Sequence, residues 1–120
     1  IIVRAHPGDK RAKQYLRLNY PKVRISNRKD IMDDFRDAWA VVTYNSSPGV
    51  AAAIEGIPVF VTDPNPLKSQ AYDIANTRLK LIETPGTFDR LKWLRKLSMC
   101  HWNFDELKSG EAWNHIQKYL

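Results

Sequence analysis

The sequence has little cysteine and no long hydrophobic run. Cys100 is the single cysteine among 120 residues, which excludes an internal disulfide and a cysteine-based zinc site of the usual spacing. No apolar stretch approaches the roughly 20 residues that a membrane-spanning helix requires. The opening residues, IIVRAHPGDK, lack the form of a signal peptide. We therefore expect a cytoplasmic protein without a membrane span, in which Cys100 is a packing residue.

Several motifs that mark ligand sites are also missing. The chain has neither a GxGxxG dinucleotide loop nor a glycine-rich phosphate loop. Ser46 and Ser47 lack the flanking glycines of a hydrolase nucleophile elbow. His101 and His115 have no carboxylate or cysteine at ligand spacing, so we interpret both as structural and predict no metal site.

Positive charge is present but unevenly distributed. The formal net charge is +6, and residues 1–36 carry ten Lys or Arg against four Asp or Glu, whereas residues 37–66 contain no Lys or Arg. The basic residues occupy single positions on predicted helices, without stacked aromatic residues or a basic arm, which argues against nucleic acid as a partner. Two interpretations remain, a solvated surface and a surface that attracts a polyanion.

Strand and helix signals alternate along the chain. Apolar β-branched runs at 39–44 and 58–62 are typical of strands covered on both faces. Further strands are predicted at 1–5 and 22–26, and helices at 8–20, 28–38, between Ser47 and Gly56, and at 69–76. Such alternation implies parallel crossovers. We predict one three-layer α/β/α domain of Rossmann-like architecture over residues 1–120, with a mostly parallel sheet of about four or five strands and a helical C-terminal segment at 86–120.

Helix boundaries are marked by specific residues. Ser47 suits an N-cap, Pro48 the first helical position, and Gly56 the position after the last turn. Near the C-terminus, Asn103 and Glu106 have the spacing of a capping box, and Gly110 is expected to break or bend the helix. A helix capped by Thr87 is predicted to turn four apolar residues inward, namely Phe88, Leu91, Leu94 and Leu97.

Two loops could carry chemistry, because ligands of parallel sheets bind beyond the carboxyl ends of the strands. In YNSSPG, Ser46 and Ser47 stand where a helix N-terminus offers neutral donors to a phosphate. In RAHPGD, His6 is held by Pro7 and could donate to a phosphate or act as a general acid. The alternatives are an ordinary helix cap and a loop histidine without a special role.

The order of these motifs resembles a known family. An HP after one strand, SS after a later strand and then EGIPVFV are similar to the C-terminal half of GT-B glycosyltransferases, in particular bacterial sialyltransferases and capsule-polysaccharide transferases. The resemblance spans about residues 1–83. It implies a nucleotide-sugar, CMP- or UDP-linked, as donor substrate, with no cofactor required. It also implies donor contacts for five residues, His6, Pro7, Asn45, Ser46 and Ser47.

Two departures from the family bear on activity. Many GT-B enzymes place a ribose-binding glutamate where this chain has Ala51 or Ala52, and Glu55 comes about one turn later. The catalytic carboxylate of the sialyltransferase-like families belongs to an N-terminal half that this sequence lacks, so the catalytic residue is unknown. We therefore expect a fragment of a two-domain protein that is inactive without its acceptor domain. Alternatives are a non-catalytic module that binds a polyanion or a protein, and a domain like those of sugar-nucleotide epimerases.

Overall fold

The structure, a computed structural model, describes residues 1–11, 14 and 20–120. The chain divides into two units, Ile1–Trp39 and Ala40–Leu120. The helix predicted at 8–20 falls largely on residues outside those described.

The first unit contains a short parallel strand pair. β1 (Ile2–Val3) pairs with β2 (Arg24–Ile25) in the register Ile2 to Arg24 and Val3 to Ile25. The helix predicted at 28–38 is reduced to α1 (Met32–Phe35), and Phe35 is its buried residue. The Asp30 carboxylate accepts from Met32 N–H at 2.9 Å, which satisfies one donor at the start of α1.

The second unit is built on a strand–helix–strand segment. β3 (Val41–Thr43) leads through α2 (Ser47–Ile54) to β4 (Val59–Val61), and the two strands are parallel, with Val42 opposite Phe60. Phe60 of β4 also forms an isolated parallel bridge with Asn76. All three β4 residues are buried, as predicted, whereas Val42 on β3 is 48% exposed, so the prediction that β3 is covered on both faces is wrong.

The ends of α2 follow the predicted chemistry with a shift of one residue. Ser46, not Ser47, is the N-cap, and Pro48 occupies the second helical position. Gly56 has the predicted role after the last turn, with φ of 84°. Its N–H donates to Ala53 O at 3.1 Å and Ile57 N–H donates to Ala52 O at 2.9 Å, so the last carbonyl groups of α2 are satisfied by a Schellman motif.

Helix α2 lies very close to both strands. A Cβ atom at Gly49 would stand 2.8 Å from Thr43 Cγ2 and 3.4 Å from Val59 Cγ1. Ala52 and Ala53, which are also in α2, are buried as well. Small residues therefore bring the first turn of α2, and the loop before it, up to the carboxyl end of β3.

The chain after β4 is less helical than predicted. The helix expected at 69–76 is a 3₁₀ turn at Tyr72–Ile74, and further 3₁₀ turns lie at Pro66–Lys68 and Leu79–Leu81. Helices α3 (Arg90–Ser98), α4 (Phe104–Ser109) and α5 (Glu111–Ile116) follow, with a last 3₁₀ turn at Gln117–Tyr119.

Helix α3 differs from the prediction in its cap and its buried face. Asp89, not Thr87, is the N-cap and accepts from Lys92 N–H at 3.0 Å. Phe88 and Leu91 are 45% and 59% exposed, so their predicted inward placement is wrong. Trp93 is the buried residue of α3, and its Nε1–H donates to Gln70 O at 2.8 Å.

The junction of α4 and α5 confirms the sequence prediction. Asn103 Oδ1 accepts from Glu106 N–H at 2.9 Å, and Glu106 Oε2 accepts from Asn103 N–H at 2.8 Å, which is the predicted capping box. Gly110 ends α4 with φ of 85°, a left-handed conformation that favours glycine.

The predicted Rossmann-like domain with four or five strands is wrong. The described residues form two separate two-stranded parallel sheets, β1–β2 and β3–β4. Parallel pairing agrees with the expected crossovers, but a wide sheet needs strands of about five residues that are apolar on both faces. In the first unit Arg4 ends an apolar run of three residues, and Arg24 lies between Val23 and Ile25, so neither β1 nor β2 has a run of apolar residues long enough to be covered on both faces.

The structure also bears on the predictions for a membrane span and for Cys100. Within the described part of the chain, no helix is long and apolar enough to cross a membrane. Cys100 is exposed, so its prediction as a packing residue is wrong. It lies just beyond the end of α3, where its N–H donates to Leu97 O at 3.0 Å.

Candidate functional site at the carboxyl ends of β3 and β4

The serine loop, which we define as residues 44–47, leads from the end of β3 into the first turn of α2 and presents Ser46 and Ser47 to solvent. Thr43 Oγ1 accepts from Ser46 N–H at 3.2 Å, and Ser46 O accepts from Gly49 N–H at 3.0 Å. The Ser46 backbone is extended, with φ of −76° and ψ of 153°, and its side chain makes no capping bond to the helix. Ser46 and Ser47 are both exposed. Their hydroxyl groups can therefore bond a ligand without first breaking the helix cap.

The electrostatics of this helix start favour an anion. The first turn of α2 contains no acidic residue, and Pro48 contributes no N–H. The peptide dipoles of a helix place partial positive charge at its N-terminus, which stabilises a nearby negative charge by about 0.3–1 kcal/mol. The site is thus suited to a phosphate without a lysine or arginine in the loop.

A buried carboxylate that the sequence analysis missed lies at the end of β4. Asp63 is 6% exposed, and its N–H donates to Tyr44 O at 3.0 Å. Its Oδ2 accepts from Asn45 Nδ2 at 2.7 Å and its Oδ1 accepts from Asn65 N–H at 3.0 Å. These bonds tie together the loops that follow β3 and β4. The available signal in the sequence was an aspartate directly after an apolar strand, at the edge where ligands bind parallel sheets.

His6 and Pro7 lie in the first unit, in the loop after β1. His6 is exposed, and its Nδ1 accepts from Gly8 N–H at 3.0 Å. A neutral imidazole with an acceptor at Nδ1 carries its proton on Nε2. The ring can therefore donate to an anion through Nε2. The structure places Asn45, Ser46 and Ser47 in the second unit, and the convergence of these three with His6 stays a prediction.

The carboxyl ends of β1 and β2 are occupied by an ion-pair network. Arg4 Nη1 donates to Asp34 Oδ2 at 2.7 Å, and Ser26 Oγ donates to the same oxygen at 2.6 Å. Arg4 Nη2 also donates to Lys29 O at 2.8 Å. The hydrogen bond from Ser26, together with the bond and positive charge of Arg4, lowers the pKa of Asp34 from its ordinary value despite partial burial. Arg4 is thus committed to a structural network.

Two clefts of the second unit lie away from the serine loop. One, of about 420 Å³, borders the chain just before β4, and Arg90, one of its lining residues, donates from Nη1 to Ile54 O at 3.0 Å. The other, of about 360 Å³, contains Trp93 with Lys92 and Lys96. Asn45, Ser46 and Ser47 do not line either cleft.

The remaining histidines make contacts that agree with a structural interpretation. His101 Nε2 lies 3.3 Å from Gln70 Oε1. The centroid of the His115 ring lies 5.1 Å from that of Trp102 and 5.3 Å from that of Tyr119. Across the described residues, no group of three or more His, Cys, Asp or Glu side chains is placed to hold a metal ion.

Comparison of the chain with protein-family models, with curated proteins and with solved structures found no match. We therefore infer function from the geometry of the site and from the short motifs of the sequence.

Proposed function

We propose that this chain is the donor-binding domain of a cytoplasmic glycosyltransferase of polysaccharide or glycan synthesis, which holds a CMP- or UDP-linked sugar. The observation that carries the proposal is the pair of exposed hydroxyl groups, Ser46 and Ser47, at the start of α2. They lie directly beyond the carboxyl end of a parallel strand, the usual place for a nucleotide.

The chemistry of the loop supports a phosphate ligand in particular. The Ser46 side chain caps no helix donor, and the first turn of α2 has no carboxylate that would repel the phosphate. The close approach of α2 to β3 and β4 at Gly49 fixes the direction in which the helix dipole points. In a complete transferase, neutral donors held in this way stabilise negative charge that develops on the leaving phosphate.

His6 has a defined part in this proposal. Its Nδ1 is engaged by Gly8 N–H, so the neutral ring offers Nε2–H to the donor phosphate. Pro7 restricts the backbone directly after it. An N-terminal acceptor domain would supply the catalytic carboxylate, and the chain alone binds its donor without turnover.

The test is a titration of the ¹⁵N-labelled chain with CMP and UDP, followed by NMR. We expect shift changes at Ser46, Ser47 and His6, and their loss in the double variant Ser46→Ala with Ser47→Ala. A control variant, Ser98→Ala, removes a hydroxyl of α3 that donates to Arg95 O and should leave binding unchanged. The absence of shift changes at millimolar nucleotide would refute the proposal.

The formal charge of +6 favours one competing function, a module that binds a polyanion or an acidic protein. The alanines Ala51 and Ala52, at the place of the ribose-binding glutamate, point the same way. Polyanion binding weakens steeply with added salt, whereas binding to neutral donors weakens less. Heparin binding that falls steeply with salt and survives the double serine substitution, without nucleotide binding, would replace the transferase proposal with this one.

A further inference from the structure

Asn45 is held in one orientation by a buried carboxylate. Asp63 Oδ2 accepts from Asn45 Nδ2 at 2.7 Å, and Asp63 is 6% exposed. A carboxylate offers acceptors but no donor, so it selects the NH₂ end of the asparagine amide over the carbonyl end. Asp63 itself is fixed, because Oδ1 accepts from Asn65 N–H at 3.0 Å.

The carbonyl end of the same amide is not fully buried. Asn45 Oδ1 accepts no hydrogen bond from any residue that the structure describes. Within that part of the chain, no buried side-chain oxygen or nitrogen lacks a partner. Asn45 Oδ1 is therefore accessible, one residue before Ser46, which occupies the N-cap position of α2.

We propose that Asn45, oriented by Asp63, is a specificity-determining acceptor that selects nucleotides with an exocyclic amino group, such as cytidine phosphates, over those with a carbonyl at that place. The inference rests on the proposed function of the Ser46 and Ser47 loop. Asp63 is the positioning residue, because it acts through the Asn45 amide.

The base, not the ribose, is the group whose polarity a fixed amide can read. A ribose hydroxyl donates or accepts by rotation, so it would fit either orientation of Asn45. Cytosine carries an amino donor where uracil carries a carbonyl acceptor. With uracil, Asn45 Oδ1 would face a second acceptor, and a site that leaves polar groups unpaired discriminates strongly against such a ligand.

The decisive variant is Asp63→Asn, which keeps the shape of the side chain. The oxygen of the new amide continues to accept from Asn65 N–H, so its NH₂ group faces Asn45. Asn45 then turns its carbonyl toward that donor and presents its own NH₂ to the ligand. The hydrogen-bonding polarity of the site is thereby inverted without a change in side-chain volume.

The experiment compares CMP and UMP affinities by calorimetry for the full chain and its variants. We expect the unsubstituted chain to favour CMP by about tenfold, which corresponds to about 1.4 kcal/mol and lies at the upper end of the net value of one hydrogen bond. Asp63→Asn should reverse the preference toward UMP. Asn45→Ala should bind both equally, and it provides the test if Asp63→Asn does not fold.

Asp73→Asn is the matched control. Asp73 lies in the same unit with its side chain 69% exposed, and its substitution changes the net charge by the same amount. It should leave the CMP to UMP ratio unchanged. Equal binding of CMP and UMP by the unsubstituted chain, or a CMP preference that survives both Asp63→Asn and Asn45→Ala, would overturn this inference alone. Failure of both nucleotides to bind would overturn the proposed function with it.

Discussion

Gly56 and Gly110 allow the cost of a left-handed backbone to be separated from the cost of a steric contact. Both have nearly the same φ, 84° and 85°. A Cβ atom at Gly110 meets no atom within 4 Å, whereas one at Gly56 would overlap Arg90 Nη1 and stand 3.2 Å from Arg90 Cζ. The same substitution at the two sites therefore differs mainly in its effect on Arg90.

The magnitudes follow from these contacts. Gly110→Ala should lower the free energy of unfolding by about 1 kcal/mol, the cost of placing an L residue in the left-handed region. Gly56→Ala should cost about 2 kcal/mol, because it also displaces Arg90 from Ile54 O and loses a hydrogen bond worth about 1 kcal/mol. In the Arg90→Ala background, Gly56→Ala should again cost about 1 kcal/mol.

Urea unfolding followed by tryptophan fluorescence measures all four variants and the parent chain. An unchanged m value shows that the differences reflect the stability of the folded state and not a change in the exposed surface. Equal costs at Gly56 and Gly110 would refute the steric argument. A Gly56→Ala cost that does not depend on Arg90 would refute it as well.

Three further predictions concern residues away from the serine loop. The lowered pKa of Asp34 means that its contribution to stability is present above the unfolded-state pKa of about 3.9 and is lost as pH falls through the lower folded value. Asp34→Asn should therefore show a shallower loss of stability than the parent in unfolding curves between about pH 5 and pH 2, and an unchanged slope would contradict this. Trp93→Phe should lower the free energy of unfolding by about 1–2 kcal/mol, because Gln70 O loses its donor, and urea curves that overlay the parent would count against that bond. Asn103→Ala should cost about 1 kcal/mol through loss of the capping box, read as lower ellipticity and an earlier thermal transition, and full helicity would be inconsistent with the cap.

Local chemistry made two helix ends, the start of α4 and the end of α2, predictable from sequence. The capping box at Asn103 and Glu106 and the glycine after α2 involve residues only a few positions apart, so a single sequence contains all their partners. The N-cap of α2 was assigned one residue late, because Ser46 and Ser47 are chemically identical and the choice depends on Thr43 Oγ1, which holds the Ser46 N–H.

The sheet and the buried face of α3 could not be predicted in the same way. Apolar runs indicate strands, but the pairing of distant runs depends on side chains elsewhere in the chain. In α3, Leu91 fits the apolar periodicity and is exposed, whereas Trp93 is buried because a partner for its Nε1–H is present at Gln70. A partner that lies 23 positions away leaves no mark in the local pattern.

The candidate site was predictable in part. Asn45 and Ser46 lie between β3 and α2, and Ser47 is the first residue of α2, so all three follow a strand at the start of a helix, as their sequence context predicts. Asp63 was missed because its significance comes from a bond to Asn45 across 18 positions. The position of the His6 loop relative to these residues stays a prediction.

The backbone amides of β4 should be among the slowest of the second unit to exchange with deuterium. Its three side chains are each 1% exposed or less, and it bonds to β3 on one edge and to Asn76 on the other. Val61 N–H donates to Asn76 O at 3.0 Å, so this amide opens only when the centre of the unit opens. Its deuterium uptake should therefore report global unfolding, while amides in the exposed serine loop exchange through small local motions.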